Sequence, residues 1–227
     1  MKKLLFTAAI AVIGFTQVSA QDFSYGVKAG LNIATLSGDD IENNDPKLGL
    51  HIGATGEYMV TEKFAIQADL LYSMQGLKQS GFEEINFNGE TSRLDLESDV
   101  KLNYINLPIM FKYYITKGFN VELGPQVGFL VSAKADVELK STSSITGTET
   151  IKIDQDIKDQ TKSVDFALAF GLGYKFDSGL NLGARFAASL GNAFEDTSNS
   201  GSGDTEFDAT GSDARNGVIS FSVGYMF

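Results

Sequence analysis

Residues 216–227 read NGVISFSVGYMF, with Ile219, Phe221, Val223, Tyr225 and Phe227 on every second position. Strict alternation describes a strand with one apolar face and one polar face. Such a ribbon at the end of a chain needs a partner, or it leaves an aggregation-prone sheet edge. Residues 23–33, FSYGVKAGLNI, carry the same period: Phe23, Tyr25, Val27, Ala29, Leu31 and Ile33 alternate with Ser24, Gly26, Lys28, Gly30 and Asn32. The expectation is that the last strand, with Phe221, Tyr225 and Phe227 on its apolar face, pairs with the first and closes a cylinder.

The pattern recurs at Leu48 to Val60, Phe64 to Met74, Ile105 to Ile115, Phe119 to Val131, Val164 to Phe176 and Leu180 to Leu190, which makes eight strands in all. Their connections alternate in length. Three-residue turns lie at Thr61 to Lys63, Thr116 to Gly118 and Asp177 to Gly179, whereas polar stretches occupy 36–47, 79–99, 134–162 and 192–215. Short turns at one end and long loops at the other characterise an outer-membrane barrel, with the turns and both termini in the periplasm. The fold predicted is all-β: an eight-stranded antiparallel up-and-down transmembrane β-barrel.

A soluble lipid-carrying barrel would place the apolar face inside. The polar face here is rich in Gly, Ser and Asn, with balanced charges at Lys28, Glu57, Asp69, Lys112, Glu122, Asp165, Lys175 and Arg185. Small residues suit a cramped interior, whereas a wet exterior would be dense in Lys and Glu. Aromatics near the turn end, including Tyr25, Tyr58, Phe64, Tyr113, Tyr174 and Phe227, form the girdle expected where lipid headgroups lie.

The front end agrees. Residues 1–20, MKKLLFTAAIAVIGFTQVSA, have a basic start, an apolar middle and a small-residue end, so they read as a signal peptide cleaved after Ala20. The mature barrel domain is then 21–227. No Cys is present, which removes disulfides, thiolate metal sites, a lipid-anchored Cys and a Cys nucleophile.

The block NYINLPIMFKYYITKGFNVELGPQVGFLVSAK, through Tyr104, Ile105, Leu107, Pro108, Lys112 and Tyr113 and then Gly124, Pro125 and Gly128, resembles the PorT-type outer-membrane β-barrel proteins of Bacteroidota. GVKAGLNIATLSG near the start and the final VGYMF resemble that family's first and last strands. The resemblance implies an outer-membrane barrel of about eight strands and carries no catalytic motif. The secretion and gliding role of the name-giving member is not carried over. A terminal Phe on an alternating strand also resembles the signal read by the barrel-assembly machinery. Pro108 and Pro125 fall inside strands, where each forfeits a ladder bond, and a phase shift around Leu102, Tyr104 and Ile105 predicts a bulge near Tyr104.

Counting outward from the turn between Ile115 and Phe119 sets Lys112 opposite Glu122, both facing inward. Lys28, Glu57, Asp69 and Arg185 fall at similar heights, predicting a charge network in the lumen. A filled lumen is the expectation, because eight strands enclose just enough space for side chains; a narrow pore or transporter for small solutes or ions is the alternative. A lipid-modifying rim enzyme would need His51, the single His, with Thr55, Ser73 or Asn106 beside it. No catalytic, cofactor or metal residues are assigned.

The net charge is −11, and most carboxylates fall in the four polar stretches. They include Asp39, Asp40, Glu42 and Asp45 in the first, and Glu83, Glu84, Glu90, Asp95, Glu97 and Asp99 in the second. The third carries Asp136, Glu138, Glu149, Asp154, Asp156 and Asp159, and the fourth runs from Glu195 to Asp213. Such a rim repels nucleic acid. DQDIKD at 154–159 lacks the Gly and distal Glu of a calcium loop. Partners expected are outer-membrane lipid, the assembly machinery and an unidentified envelope protein met through the loops, in a structural or interaction role.

Overall fold

The computed structural model describes residues 23–37, 44–87, 90–143, 147–191 and 215–227. The expected signal peptide, the acidic residues Asp39, Asp40 and Glu42, and the stretch from Glu195 to Asp213 lie outside the described residues. The strands are β1 (Phe23–Ser37), β2 (Asn44–Met59), β3 (Phe64–Phe87), β4 (Glu90–Tyr114), β5 (Phe119–Ser143), β6 (Gly147–Asp156), β7 (Val164–Lys175), β8 (Leu180–Ser189) and β9 (Arg215–Met226). All pairings are antiparallel, and β1, β2, β3, β4, β5, β7, β8 and β9 form a closed ring of neighbours.

Closure occurs where the terminal patterns meet. β1 pairs with β9 from Gly26 opposite Met226 to Ser37 opposite Arg215, and the Phe227 N–H donates to the Tyr25 carbonyl at 2.7 Å. The apolar face points out: Tyr25, Leu31, Ile52, Leu70, Phe111, Phe170 and Phe221 are exposed, while Asn32, Glu57, Asp69, Asn106 and Lys112 are buried inside. Only a solvent of lipid makes that arrangement stable. The girdle aromatics stack in pairs at the turn end, Phe64 on Tyr113 and Tyr174 on Phe176, with ring centroids 4.9 and 4.7 Å apart.

Two of the turns share one device. Thr61 and Thr116 accept hydrogen bonds at Oγ1 from the N–H groups of Phe64 and Phe119, three residues on, which fixes the chain reversal locally. The third turn instead uses Gly179 at φ +90°, a conformation that side chains resist.

Two expected loops are strands. The stretches 79–99 and 134–162 continue β3, β4 and β5 far beyond the barrel and supply β6. β6 and β7 both run antiparallel to β5, one above the other: β7 faces Phe119 to Phe129, and β6 faces Lys134 to Ser143. They are one barrel strand broken at 157–163, where a short 3₁₀ turn, Lys158–Gln160, interrupts it. The ninth strand is therefore the outward extension of the sixth ring strand. Together, the upper halves of β3, β4, β5 and β6 form a four-stranded sheet that, among the described residues, rises on one side of the ring. From Gly76 to Phe87 this is roughly 35 Å of strand at about 3.3 Å per residue.

The expected bulge is present at the Asn103/Tyr104 step, but the extra residue is Val131 on β5. β4 itself keeps one phase, with Leu102, Tyr104, Asn106, Pro108, Met110 and Lys112 all buried inward. The apparent phase shift arises because Leu102 and Tyr104 are apolar residues that face the lumen. Each proline sits at a gap in one ladder. β3–β4 pairing skips from Ala68/Ile109 to Leu71/Asn106 around Pro108, and β4–β5 pairing skips from Pro108/Gln126 to Phe111/Leu123 around Pro125. The missing N–H groups therefore fall where no bond is made.

Candidate functional site: sealed lumen and raised sheet

The inward residues of the lower barrel form one continuous network. Arg185 Nε donates to Glu122 at 2.8 Å and its Nη1 to Asp69 at 3.1 Å, while Lys28 Nζ donates to the same Asp69 oxygen at 2.8 Å. The other Asp69 oxygen accepts from Thr55 at 2.6 Å and from the Gln67 amide at 2.7 Å. Gln67 Oε1 in turn accepts from Lys112 Nζ at 2.9 Å, which also bonds Glu57 at 2.6 Å. Glu57 is further held by Lys175 at 2.8 Å and by the Tyr114 hydroxyl. Register does set Lys112 opposite Glu122. The ammonium nevertheless turns to Glu57, and Glu122 takes Arg185.

Small residues make room for this. An added Cβ at Gly171 would come within 2.9 Å of the Glu122 carboxylate, and one at Gly30 within 2.6 Å of the His51 ring. Lys175, Tyr114, Gln67 and Thr55 are members that the charge pattern alone did not assign to the network. Lys175 was visible as an inward-facing charge, but the others are neutral and leave no signature beyond their parity.

Among the described residues the lumen holds small cavities, of which one of about 30 Å³ and one of about 40 Å³ have room for one or two waters each. Lys28 and Arg185 border both and stand between them. On the raised-sheet side of the upper cavity, Leu77, Val100, Leu102, Tyr104, Leu130 and Ile157 form a buried apolar cluster. Ile157 comes from the break between β6 and β7, where its N–H bonds the Ala133 carbonyl.

His51 lies in the upper cavity opposite Ser73 in register. Its Nδ1 is 2.8 Å from Asn32 Oδ1, an amide oxygen, and Ser73 Oγ accepts from Asn32 Nδ2 rather than meeting the ring. Thr55 is engaged by Asp69. Among the described residues, no relay from hydroxyl to imidazole to carboxylate is assembled. Nor does any group of three or more His, Asp or Glu converge there on a metal position. In DQDIKD the chain turns: Ile157 is buried and Asp156 accepts the Lys158 N–H.

The raised sheet has two unlike faces. Its outer face carries cross-strand rows Lys78–Asp99–Asp136–Asp154 and Ser80–Glu97–Glu138–Lys152. Like charges directly opposite are unfavourable, and lysines offset them: Lys47 pairs with Asp99, Lys101 with Asp136, and Lys152 with Glu138. The Lys101 hydrogen bond holds Asp136 below the ordinary carboxylate range, and Asp136 correspondingly raises Lys101. The inner face carries the rows Gly81–Leu96–Leu139–Ile151 and Gln79–Ser98–Val137–Ile153. The second and third acidic stretches thus stand as ordered strands, not loops. At Gly76 of β3 the φ of +139° is one few side chains tolerate, and an added Cβ there would lie 2.0 Å from the Val100 carbonyl.

A closed ring with a lipid-facing apolar girdle and a polar, packed interior defines an integral β-barrel of the outer membrane. The chain belongs to the outer membrane protein beta-barrel domain family, whose profile matches residues 15–195. No curated protein matches it. Among solved structures it is similar to Ail, the attachment invasion locus protein of Yersinia pestis, in complex with the heparin analogue sucrose octasulfate. The identity is 13%, with 91% of this chain and 99% of that one covered and a TM-score of 0.45. It is also similar to Neisserial surface protein A, at 12% identity, 89% and 97% coverage and a TM-score of 0.44. A third similar structure is Acinetobacter baumannii CarO, at 14% identity, 89% and 98% coverage and a TM-score of 0.34.

Proposed function

We propose that this protein is a closed, non-enzymatic outer-membrane anchor whose raised acidic sheet meets a partner outside the membrane. The observation that carries the reading is the contrast within one chain: the lower lumen is filled by the network joining Glu122 to Lys175, while the sheet above it is extended and its last strand, β6, is exposed along its whole length. A conduit would need the reverse, an open core and a modest rim. Among the described residues, His51 meets an amide oxygen and not a hydroxyl–carboxylate pair, which favours a non-catalytic reading.

The finer assignment follows the residues that resemble the PorT-type barrels of Bacteroidota, of which Tyr104, Pro108 and Lys112 face inward and Leu107 outward. In that reading residues 1–20 are removed on export, and the Phe221, Tyr225 and Phe227 face is what the assembly machinery reads. Outer-membrane lipid and an envelope or external protein are the partners, and nucleic acid is not.

Affinity purification of the tagged protein from native outer membranes, with N-terminal sequencing of the recovered chain, tests this. A stoichiometric partner and a chain beginning at Gln21 are expected. The competing reading, a narrow ion path along the charged lumen, is favoured instead by steady single-channel openings of the refolded barrel that vanish when Lys112 and Glu122 are neutralised together.

A further inference from the structure

The raised sheet ends on β6, every residue of which is exposed. One side of β6 is paired with β5 over its whole length, and among the described residues nothing pairs with the other. The hydrogen-bond phase is set by Ile157, whose N–H meets Ala133. Alternate residues share that direction in an antiparallel pair, so Ile151, Ile153 and Gln155 bond β5. Thr150, Lys152, Asp154 and Asp156 direct their N–H and C=O groups at the open edge. We infer that this edge is a strand-addition site, which takes an extended peptide segment of a partner protein with apolar residues alternating with basic ones. The inference rests on the interaction reading above and names the chemistry of the partner.

Both halves of that description come from β6 and its neighbours. An added strand places one set of side chains beside Ile151 and Ile153, extending the inner apolar face through Leu139 and Val137. The other set lies beside Lys152, Asp154 and Asp156, with Asp136 and Glu138 one strand further in. The carboxylates outnumber the lysine along this edge, so the added strand gains most from Lys or Arg at those positions. Main-chain bonds supply affinity and the alternating side chains supply selectivity, as in other cases of strand addition.

A second copy fits poorly. Two barrels in one membrane are related by rotation about the membrane normal, from which barrel strands tilt by about 35–45°. Such a rotation points both copies of β6 outward, so that they cross and cannot pair antiparallel, and turns the sheet over, setting the apolar face of one copy beside the charged face of the other. A copy in an opposed membrane would pair antiparallel. The register that matches Lys152 to Asp154 then brings the two membranes within roughly 25 Å, at about 3.3 Å per residue. The β3–β4 hairpin alone stands higher than that.

The test uses the full barrel in lipid nanodiscs and a fluorescent ten-residue peptide of alternating Val and Lys. Binding is expected, with the ¹³C-labelled peptide acquiring a β-sheet amide I band. An alternating Val and Glu peptide should bind at least tenfold more weakly. Thr150→Pro removes an edge N–H without touching a bond to β5, and should weaken the peptide at least tenfold. N-methylating alternate peptide residues should do the same on the wild-type barrel, which covers the case in which Thr150→Pro disturbs the sheet. Binding unchanged by N-methylation, absent altogether, or without the β-sheet band overturns strand addition. A native partner still captured by Thr150→Pro and not displaced by the peptide would leave the interaction reading standing while removing the edge from it.

Discussion

Lys112 and Glu57 form a buried ion pair at 2.6 Å although their strands are not neighbours: β3 lies between β4 and β2 in the ring. The contact crosses the interior and braces the cylinder as a strut does. Lys175, from β7 on the other side, closes on the same carboxylate at 2.8 Å.

Removing the central carboxylate should therefore be costly. Glu57→Gln leaves two ammonium groups facing an amide, and breaking a buried pair by one partner costs about 3–5 kcal/mol. Urea unfolding of the refolded barrel, followed by heat-modifiable gel mobility, measures it. The Glu57→Met and Lys112→Met pair together should recover a good part of the loss, because the desolvation penalty disappears with the charges.

Gln67→Leu should cut the network into two halves, one around Asp69 and one around Glu57, without removing a charge. One hydrogen-bond partner is withdrawn from each half, so a loss of about 1–3 kcal/mol is expected. A Gln67→Leu barrel as stable as the parent would show that the two halves do not support one another.

Gly76→Val should loosen the raised sheet and leave the barrel intact. The substitution combines a φ of +139° with a clash against the Val100 carbonyl. Hydrogen exchange should quicken across 77–101 while the turn-end amides near Phe64 and Phe119 stay protected.

The sheet should also show a pH window. Asp136 is depressed by Lys101, so its contribution is present above the ordinary Asp value and is lost as pH falls through its lowered one. Lys101 is raised, so its contribution is present below the ordinary Lys value and is lost as pH climbs through its raised one. Lys101 is exposed and Asp136 about one-third exposed, so solvent screening limits the effect to a local one. Protection around Asp136, taken relative to the intrinsic exchange rate at each pH, should be flat between about pH 5 and 9 and fall below about pH 4; Lys101→Met should flatten the acid limb.

Much of the barrel was legible because lipid outside and side chains inside enforce a period of two. Closure of β1 on β9, the inward charges and the position opposite Lys112 all follow from parity alone. The choice among partners did not, because Lys112 can reach several carboxylates, and which one it takes depends on the width of the ring and on neutral side chains such as Gln67. The raised sheet was mistaken for loops for a related reason. RLDLESDVKL at 93–102 alternates as strictly as any membrane strand, but its apolar members are spaced by carboxylates, and acidity suggested a solvated loop. Tyr104 produced the apparent phase shift for the opposite reason: it is apolar in character, yet it is buried on the lumen side, against the rule that apolar members of the strand face lipid.

Because the raised sheet is made by lengthening barrel strands, its height can change only in a restricted way. Adding one residue to β4 would turn Leu94, Leu96 and Val100 to the charged side and bring Asp95 and Asp99 to the apolar one, unless a neighbour absorbed the slip as β5 does at Val131. Relatives should therefore grow or shrink this region by two residues at a time, in matched steps on facing strands. A ruler of that kind would be readable in their sequences as paired, even-numbered gaps on either side of the Phe87–Glu90 pair.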